Sequence, residues 1–351
     1  MVSYFDSLHP AHRDKLIFRP EETNQLARQI QEKKFTTLYA APGFGKSILI
    51  NKALLQLKEK GYPTAVVTLD LFNITGAEAL AKLYANAFKK YVLDYNKEAL
   101  LPITLDLGKV SLPTAINLPN LLSSVTDINF VVYFKEFQNI LAMEGGDQIL
   151  KLMERELEKH KDVAYIVTGE QLHKMKEIFE KQKFFYRINN NIPLGPLPKG
   201  DCITYLRNGF LLSGKDLEME TAEAIYKTSG GYPEIINRVA AMCDAQAPGY
   251  INKRILRGAV DTYFNDHEAA YRYLVSNLTA NQVNFLKAVC DGVSKFSSAD
   301  ILKKYRLNSS ANVFRLKEAL SKKEIVTFDA DDKASVIDPM FENWLKERYF
   351  K

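Results

Sequence analysis

The stretch that decides the fold of this chain is Thr37-Leu-Tyr-Ala-Ala-Pro-Gly-Phe-Gly-Lys-Ser-Ile-Leu-Ile50. An apolar run from Phe35 to Tyr39 leads into a loop with two glycines, and a helical pattern follows. Strand, tight loop and helix is the context that the phosphate-binding signature G-x-x-x-x-G-K-[ST] requires. Ala40 stands where that signature has its first glycine. The alternative is an ordinary strand, turn and helix with a glycine-rich turn.

Each part of this loop has a physical role in holding phosphate. Successive main-chain N–H groups and the positive end of a helix face one anion, and glycine lets the backbone approach it closely. Lys46 would reach the β- and γ-phosphates, and the hydroxyl of Ser47 would bind Mg²⁺. The predicted nucleotide-binding residues of the loop are Ala41, Pro42, Gly43, Phe44, Gly45, Lys46, Ser47 and Ile48, and Ser47 is the predicted metal ligand.

The composition excludes several classes of protein. The chain has 351 residues, of which 46% are hydrophobic and 25% charged, as in ordinary globular domains. A net charge of +5 neither demands nor excludes a nucleic-acid partner. The charged stretch of residues 1–20 does not read as a secretory signal, and no window approaches the ~18 apolar residues of a membrane span. Three distant cysteines are expected to be buried thiols in a reducing cytoplasm: Cys202, Cys243 and Cys290.

Strand-like and helix-like runs alternate from residue 20 to about residue 195. The strand-like runs are continuously apolar, which favours a parallel sheet with helices on both faces. Residues 101–120 contain three prolines and little periodicity, so they are expected to form an irregular excursion. The predicted strands are 65–69, 129–134 and 163–168, and the predicted helices are 21–33, 47–60, 75–93 and 149–160.

The pattern changes twice further along the chain. Helices dominate between Pro196 and Gln246, and from Thr279 onward three helices and a two-stranded hairpin follow, the order of a winged helix-turn-helix. We therefore predict three domains. They are a P-loop NTPase α/β core at 1–195, a helical lid at 196–275 and a winged helix-turn-helix at 276–351.

Further motifs occur in order around the phosphate loop. In chain order they are Ile17-Phe-Arg-Pro-Glu-Glu22, Val131-Val-Tyr-Phe-Lys-Glu-Phe-Gln138, Phe185-Tyr-Arg187, Gly231-Tyr-Pro233, Leu278-Thr-x-x-Gln282 and Asp338-Pro-x-Phe-x-x-Trp-Leu345.

With these motifs, the chain resembles the STAND-type P-loop ATPases of archaea and bacteria, AAA-like proteins with a C-terminal winged helix. The resemblance implies ATP or ADP and Mg²⁺ as cofactors. It implies that Arg19 lies on the adenine side, that Glu136 polarises the attacking water, and that Arg187 stabilises γ-phosphate charge in its own or a neighbouring subunit. It also implies that Gly231 and Pro233 close over the nucleotide. Thr168 either senses the γ-phosphate or caps a strand.

Lys135 departs from the family pattern, which has an aspartate that holds the Mg²⁺ shell at this position. The exchange changes the local charge by two units, and one unit charge at ~4 Å is worth about 4 kcal/mol at an effective dielectric near 20. Either Glu136 takes over part of the metal shell, or Lys135 neutralises phosphate charge directly. We expect clear nucleotide binding with weak Mg²⁺-dependent turnover.

Three functions follow as hypotheses. The first is an ATP-binding switch that acts on an unknown protein partner, and the second is a DNA-binding regulator with a largely structural P-loop domain. The third is a ring-forming ATPase motor. A recognition helix at residues 309–323 would favour duplex DNA through its basic residues, which Glu318 partly offsets, whereas an acidic wing opposes it. The alternative is that the winged helix docks onto another domain or onto a protein partner. The basic residues are Arg315, Lys317, Lys322 and Lys323, and the acidic ones are Asp329, Asp331 and Asp332.

Overall fold

Two compact units make up the chain. A computed structural model describes residues 4–5, 19–96, 109–329 and 331–351, without the side chains of residues 95 and 96. The first unit consists of the described residues from 19 to 194, and the second of residues 195–351 together with Tyr4 and Phe5. A division of the second unit at residues 275 and 276 stays a prediction.

A five-stranded parallel sheet forms the centre of the first unit, with the strand order β2-β3-β4-β1-β5. All four strands other than β5 lie within one residue of their predicted bounds. The short β5 was not predicted, because three asparagines carry no strand signal. The strands are β1 (Phe35–Tyr39), β2 (Ala65–Asp70), β3 (Phe130–Lys135), β4 (Ala164–Gly169) and β5 (Asn189–Asn191).

Helices cover this sheet, as predicted. One face of the sheet packs in a large apolar cluster that includes Phe130, Val132 and Phe134 of β3. Residues of opposite parity, such as Tyr133 and Lys135, face the other side because side chains alternate along a strand. The helices of this unit are α1 (Pro20–Gln31), α2 (Lys46–Glu59), α3 (Ala77–Asn96), α4 (Leu112–Val125), α5 (Gly146–Leu157) and α6 (Leu172–Lys176).

Helix α4 corrects the prediction of an irregular excursion at residues 101–120. Ser111 caps the helix by accepting a hydrogen bond from the N–H of Thr114 at 3.4 Å, and Pro113 occupies the first turn, where proline is tolerated. Pro119 lies inside the helix among buried neighbours. Burial against α3 and α5 outweighs the local cost of that proline. Residues 101–108 of the predicted excursion lie outside the described residues.

The second unit is mainly helical, with one hydrophobic cluster running from α7 through to α14. The helix-helix-helix-hairpin order of the winged helix is present, and Thr279 caps α11 in a capping box with Gln282. Its elements are α7 (Lys199–Leu212), β6 (Asp216–Leu217), α8 (Met219–Ser229), α9 (Pro233–Gln246), β7 (Tyr250–Ile251), α10 (Lys253–Ser276), α11 (Ala280–Cys290), α12 (Ala299–Lys304), α13 (Ser310–Lys322), β8 (Val326–Phe328), β9 (Ala334–Val336) and α14 (Pro339–Trp344).

Two expectations from composition can be compared with this structure. All three cysteines are buried and none forms a disulfide, as expected. Among the described residues, there is no helix with the length and apolar character that crossing a membrane requires.

Candidate functional site

The loop between β1 and α2 has the backbone shape of an anion cradle. Gly43 and Gly45 both have a φ of +82°, a left-handed conformation that favours glycine. Left-handed residues within a turn are how main-chain N–H groups converge into an anion-binding nest. A Cβ atom added at Gly45 would meet no other atom within 4 Å, so this side of the loop is open. Helix α2 begins at Lys46. Its N-cap residue is Gly45, which has no side chain with which to cap the first N–H groups of the helix.

Lys46 is buried, and its ammonium lies back on its own loop. It donates hydrogen bonds to the carbonyl oxygens of Ala40 at 2.8 Å and Ala41 at 3.1 Å, and it lies 3.4 Å from the carboxylate of Glu170. Burial lowers the pKa of Lys46, and the negative charges of Glu170 and Glu136 oppose that shift. Two carboxylates therefore lie near the ammonium that the loop motif assigns to phosphate.

Glu136 is held in an unusual backbone conformation at the end of β3. Its φ of 53° and ψ of 42° place it in the left-handed region, which costs about 1–3 kcal/mol for a residue with a side chain and is concentrated at functional sites. The buried amide of Gln138 donates a hydrogen bond of 2.6 Å to the Glu136 carboxylate. Gly169 leaves room for this amide, because a Cβ there would lie 2.4 Å from Gln138 Oε1. Gln138 is thus a positioning residue for Glu136.

Lys135 lies on the same face of the sheet as Tyr133. Its ammonium is 5.7 Å from the centre of the Tyr133 ring. Burial raises the pKa of Tyr133, while hydrogen bonds with Thr168 and Ser47 oppose that rise. Tyr133 therefore lies near both Lys135 and Ser47, the predicted metal ligand, and Lys135 does not turn to the opposite face.

Asp70 is a further carboxylate near Tyr133, and the sequence motifs did not single it out. It ends β2 and is the register partner of Lys135 at the end of β3. Its charge, like that of Glu136, adds to the rise in the pKa of Tyr133. Asp70 also accepts a hydrogen bond from the N–H of Phe72 at 3.1 Å.

Thr168 is engaged within the sheet. Its hydroxyl donates to the carbonyl oxygen of Phe134 at 3.2 Å or to the hydroxyl of Tyr133 at 3.3 Å, and the side chain is buried. These contacts favour a structural role for Thr168 over the alternative role as a sensor of the γ-phosphate.

Arg19 lies beside the phosphate loop. Its guanidinium is 5.9 Å from the centre of the Phe44 ring and donates a hydrogen bond of 3.0 Å to Glu22. Both Arg19 and Phe44 are buried. The structure thus brings Arg19 to the loop, while residues 17 and 18 of the motif lie outside the described residues.

Arg187 is not brought to the phosphate loop within this chain. It precedes β5, whose Asn189 pairs with Phe35 at the start of β1. The phosphate loop follows the other end of β1, about 17 Å away for a five-residue strand. The exposed Arg187 donates to the hydroxyl of Tyr186 at 2.9 Å and pairs with Glu158 at 3.5 Å. A role toward the nucleotide of its own chain does not fit this position, and a role toward a neighbouring subunit stays a prediction.

Gly231 and Pro233 form the turn between α8 and α9 in the second unit. Gly231 has a φ of +76°, and a Cβ there would lie 2.9 Å from Pro196. Pro233 is the first residue of α9, a position that suits its fixed φ and missing N–H. The turn is therefore specified by backbone geometry and by close packing.

The basic residues of α13 are mostly paired. Lys317 forms an ion pair with Asp332 of the wing, and Lys322 pairs with Glu318 at 2.6 Å. Arg315 is exposed, and Phe314 beside it is 69% exposed. The exposed positive charge of this helix is consequently smaller than the sequence predicts.

Comparisons with known proteins agree with this architecture. Residues 269–347 match a family described as a probable winged helix domain. The Walker-type ATPase PABY2304 of Pyrococcus abyssi superposes with a TM-score of 0.68 at 19% identity, over 98% of this chain and 99% of that chain. The chain has the P-loop ATPase fold with a C-terminal winged helix.

Two further structures share the fold at lower identity. The ORC2 protein of Aeropyrum pernix, solved as ADPNP–ADP complexes, has a TM-score of 0.60 at 13% identity, over 99% of this chain and 98% of that chain. The ORC1 protein of the same organism, solved in complex with DNA, has a TM-score of 0.53 at 13% identity, over 99% and 97%. A search of curated proteins finds no match.

The donor atoms at this site fit Mg²⁺. Ser47, Glu136 and Glu170 supply hydroxyl and carboxylate oxygens, and Mg²⁺ in nucleotide sites is held by one or two carboxylates with phosphates and water. Among the described residues, no group of three or more His, Cys, Asp or Glu could hold a metal by itself.

Proposed function

We propose that this protein binds ATP and ADP at the phosphate loop and acts as a nucleotide-dependent switch of the STAND type. The proposal depends on one observation. Lys46 is buried at the start of α2, directly after a loop in which Gly43 and Gly45 have left-handed backbone conformations. Nucleotide complexes are known for the ORC2 structure of the same fold. The three buried cysteines, which form no disulfide, suit a reducing cytoplasm.

Hydrolysis at this site is proposed to be slow. Glu136 is oriented by Gln138 and can accept a proton from an attacking water. Lys135, however, places an ammonium on the face of the sheet that carries Tyr133. Mg²⁺ would neutralise phosphate charge and orient the γ-phosphate, with Ser47 as its ligand. An ammonium beside that metal lowers its occupancy, and turnover with it.

The output of the switch is proposed to pass through the turn that contains Gly231 and Pro233. In the second unit this turn is packed against the winged helix, since the hydroxyl of Tyr232 donates to the carbonyl oxygen of Ile337 at 2.6 Å. Asn343 likewise donates to the carbonyl oxygen of Thr228 at 2.9 Å. If nucleotide moves this turn, as the resemblance implies, the winged helix moves with it and meets its protein partner in a new position.

Calorimetric titration with ATP and ADP, with and without Mg²⁺, tests the proposal. Wild type should bind both nucleotides, and Lys46→Ala should weaken binding about tenfold to a hundredfold, the value of a hydrogen bond to a charged group. Lys58→Ala, at the exposed far end of α2, is the matched control and should bind normally. Absence of binding by wild type, or equal binding by Lys46→Ala, contradicts the proposal. Solution scattering that is identical with and without nucleotide contradicts the switch.

Duplex DNA is a second candidate ligand, favoured by the exposed pair Phe314 and Arg315 on the recognition helix α13. The ORC1 structure of the same fold was solved with DNA. Arg315→Glu should reduce salt-dependent DNA binding, whereas Lys317→Glu should have a smaller effect because Lys317 is already paired with Asp332. Binding that is unchanged in Arg315→Glu rules out this helix as the DNA contact.

A further inference from the structure

Glu170 occupies a central position at the carboxyl edge of the sheet. Strand β4 lies between β1 and β3, and its last residue, Gly169, is the register partner of Tyr39. Parallel strands advance together, so Glu170 is level with Ala40 at the start of the phosphate loop. It therefore stands between that loop and the end of β3, where Lys135 and Glu136 lie.

Glu170 forms an ion pair with Lys46 and is much more exposed to solvent than Lys46 is. The two charged groups are 3.4 Å apart, and the side chain of Lys46 is 7% exposed whereas that of Glu170 is 44% exposed. The carboxylate keeps much of its hydration, so separation from Lys46 does not leave it as a buried, unpaired charge. Glu170 can thus release Lys46 to a phosphate at little cost.

Negative charge accumulates at this point when a nucleotide enters. The charges of Glu170 and Glu136 both act on Lys46, and a triphosphate brings several more to the same ammonium. Repulsion between like charges at such distances weakens nucleotide binding by several-fold to more than tenfold, unless a cation lies between them. Carboxylates can hold that cation, whereas the ammonium of Lys135 has no acceptor atom.

We propose that Glu170 is the carboxylate that holds the hydration shell of the metal at this site. It takes the role that the resemblance assigns to the aspartate replaced by Lys135. In the nucleotide-free chain Glu170 pairs with Lys46. With nucleotide bound, Lys46 would turn to the phosphates, and the carboxylate of Glu170 would be free to help hold Mg²⁺ through its hydration shell. This inference rests on the proposed function, because it requires a nucleotide at the phosphate loop.

The test compares ADP and ATP affinities in EDTA and in Mg²⁺ for wild type and Glu170→Gln. Wild type should bind more tightly in Mg²⁺. Glu170→Gln should bind at least about tenfold more tightly than wild type in EDTA, because one repelling charge is gone, and should gain correspondingly less from Mg²⁺. Mn²⁺ bound in the presence of ADP, counted by electron paramagnetic resonance, should fall in Glu170→Gln. This second readout requires no turnover.

Two variants separate this role from the effects of charge alone. Glu59→Gln removes an exposed carboxylate at the far end of α2, and it should keep the wild-type Mg²⁺ dependence. Asp70→Asn removes the carboxylate at the end of β2 and should also keep it. Full Mg²⁺ dependence in Glu170→Gln, or its loss in Asp70→Asn instead, overturns the inference. Wild type that binds no nucleotide in either buffer contradicts the proposed function itself.

Discussion

The hydroxyl of Tyr232 donates a hydrogen bond of 2.6 Å to the main-chain carbonyl of Ile337, which lies after the wing. Tyr232 stands between Gly231 and Pro233, so the turn and the winged helix are joined by its side chain. Gly230 adds to this junction, because a Cβ there would lie 3.1 Å from Pro339. The turn and the winged helix are therefore packed closely against each other within the second unit.

Tyr232→Phe should weaken this junction. The variant removes the hydroxyl donor from the Ile337 carbonyl, and the expected loss in the free energy of unfolding is about 1–2 kcal/mol. Urea unfolding of the purified chain measures it. Tyr250→Phe, at a side chain that is 51% exposed, is the control and should change stability by less than about 0.5 kcal/mol. Equal stabilities of Tyr232→Phe and wild type would show that the hydrogen bond does not hold the junction.

Gln138→Leu should reduce turnover more than nucleotide binding. Gln138 is fully buried and orients Glu136 through a hydrogen bond of 2.6 Å, without a part in the phosphate loop. We expect the turnover number to fall about tenfold, the value of one hydrogen bond to a charged group, with the nucleotide Kd unchanged within about twofold. Steady-state ATPase assays and calorimetry on the same preparations measure both. A variant with weakened binding and normal turnover would assign Gln138 to nucleotide binding instead.

Lys135→Asp should raise Mg²⁺-dependent turnover. The change removes an ammonium and supplies a carboxylate on the face of the sheet that carries Tyr133, which improves metal occupancy. We expect the turnover number to increase at least about tenfold, given the interaction energy of a unit charge at ~4 Å. Lys135→Met separates the two effects, because it removes the positive charge without adding a negative one. Turnover in Lys135→Asp at or below the wild-type rate would show that Lys135 itself supports the reaction.

The stability of the first unit should fall as the pH is lowered from about 6.5 to about 4. His160 is buried, its Nδ1 lies 2.6 Å from the hydroxyl of Tyr165, and its Nε2 lies 2.8 Å from Oδ1 of Asn117. Burial lowers the pKa of His160 to about 4, below its value of about 6.5 in the unfolded chain. Within this interval the unfolded state binds more protons, so acidification favours unfolding.

The expected size of this effect is about 2 kcal/mol between pH 7 and pH 5. Urea unfolding at the two pH values measures it. His160→Gln carries no titrating group at this position, so its stability should change less over the same interval. Parallel pH profiles for the two proteins would show that His160 is not the group responsible.

Local sequence was sufficient for much of this architecture. The strand, loop and helix around Lys46, the apolar strands β2, β3 and β4, and the order of the winged helix could all be predicted, because each depends on neighbours within one element. Helix α4 was missed, since Pro119 breaks the local pattern while packing stabilises the helix. Strand β5 was missed because Asn189–Asn191 is defined only by its pairing with β1.

The composition of the site was decided partly by sequence and partly by tertiary structure. The phosphate loop, Glu136 and the departure at Lys135 were visible in the sequence as motifs. The pairing of Lys46 with Glu170, the proximity of Tyr133 to Ser47 and the distance of Arg187 from the loop were not. Those relations depend on strand order and register, which bring residues distant in the chain to one edge of the sheet. A motif specifies its own backbone, whereas the fold determines which charges face it.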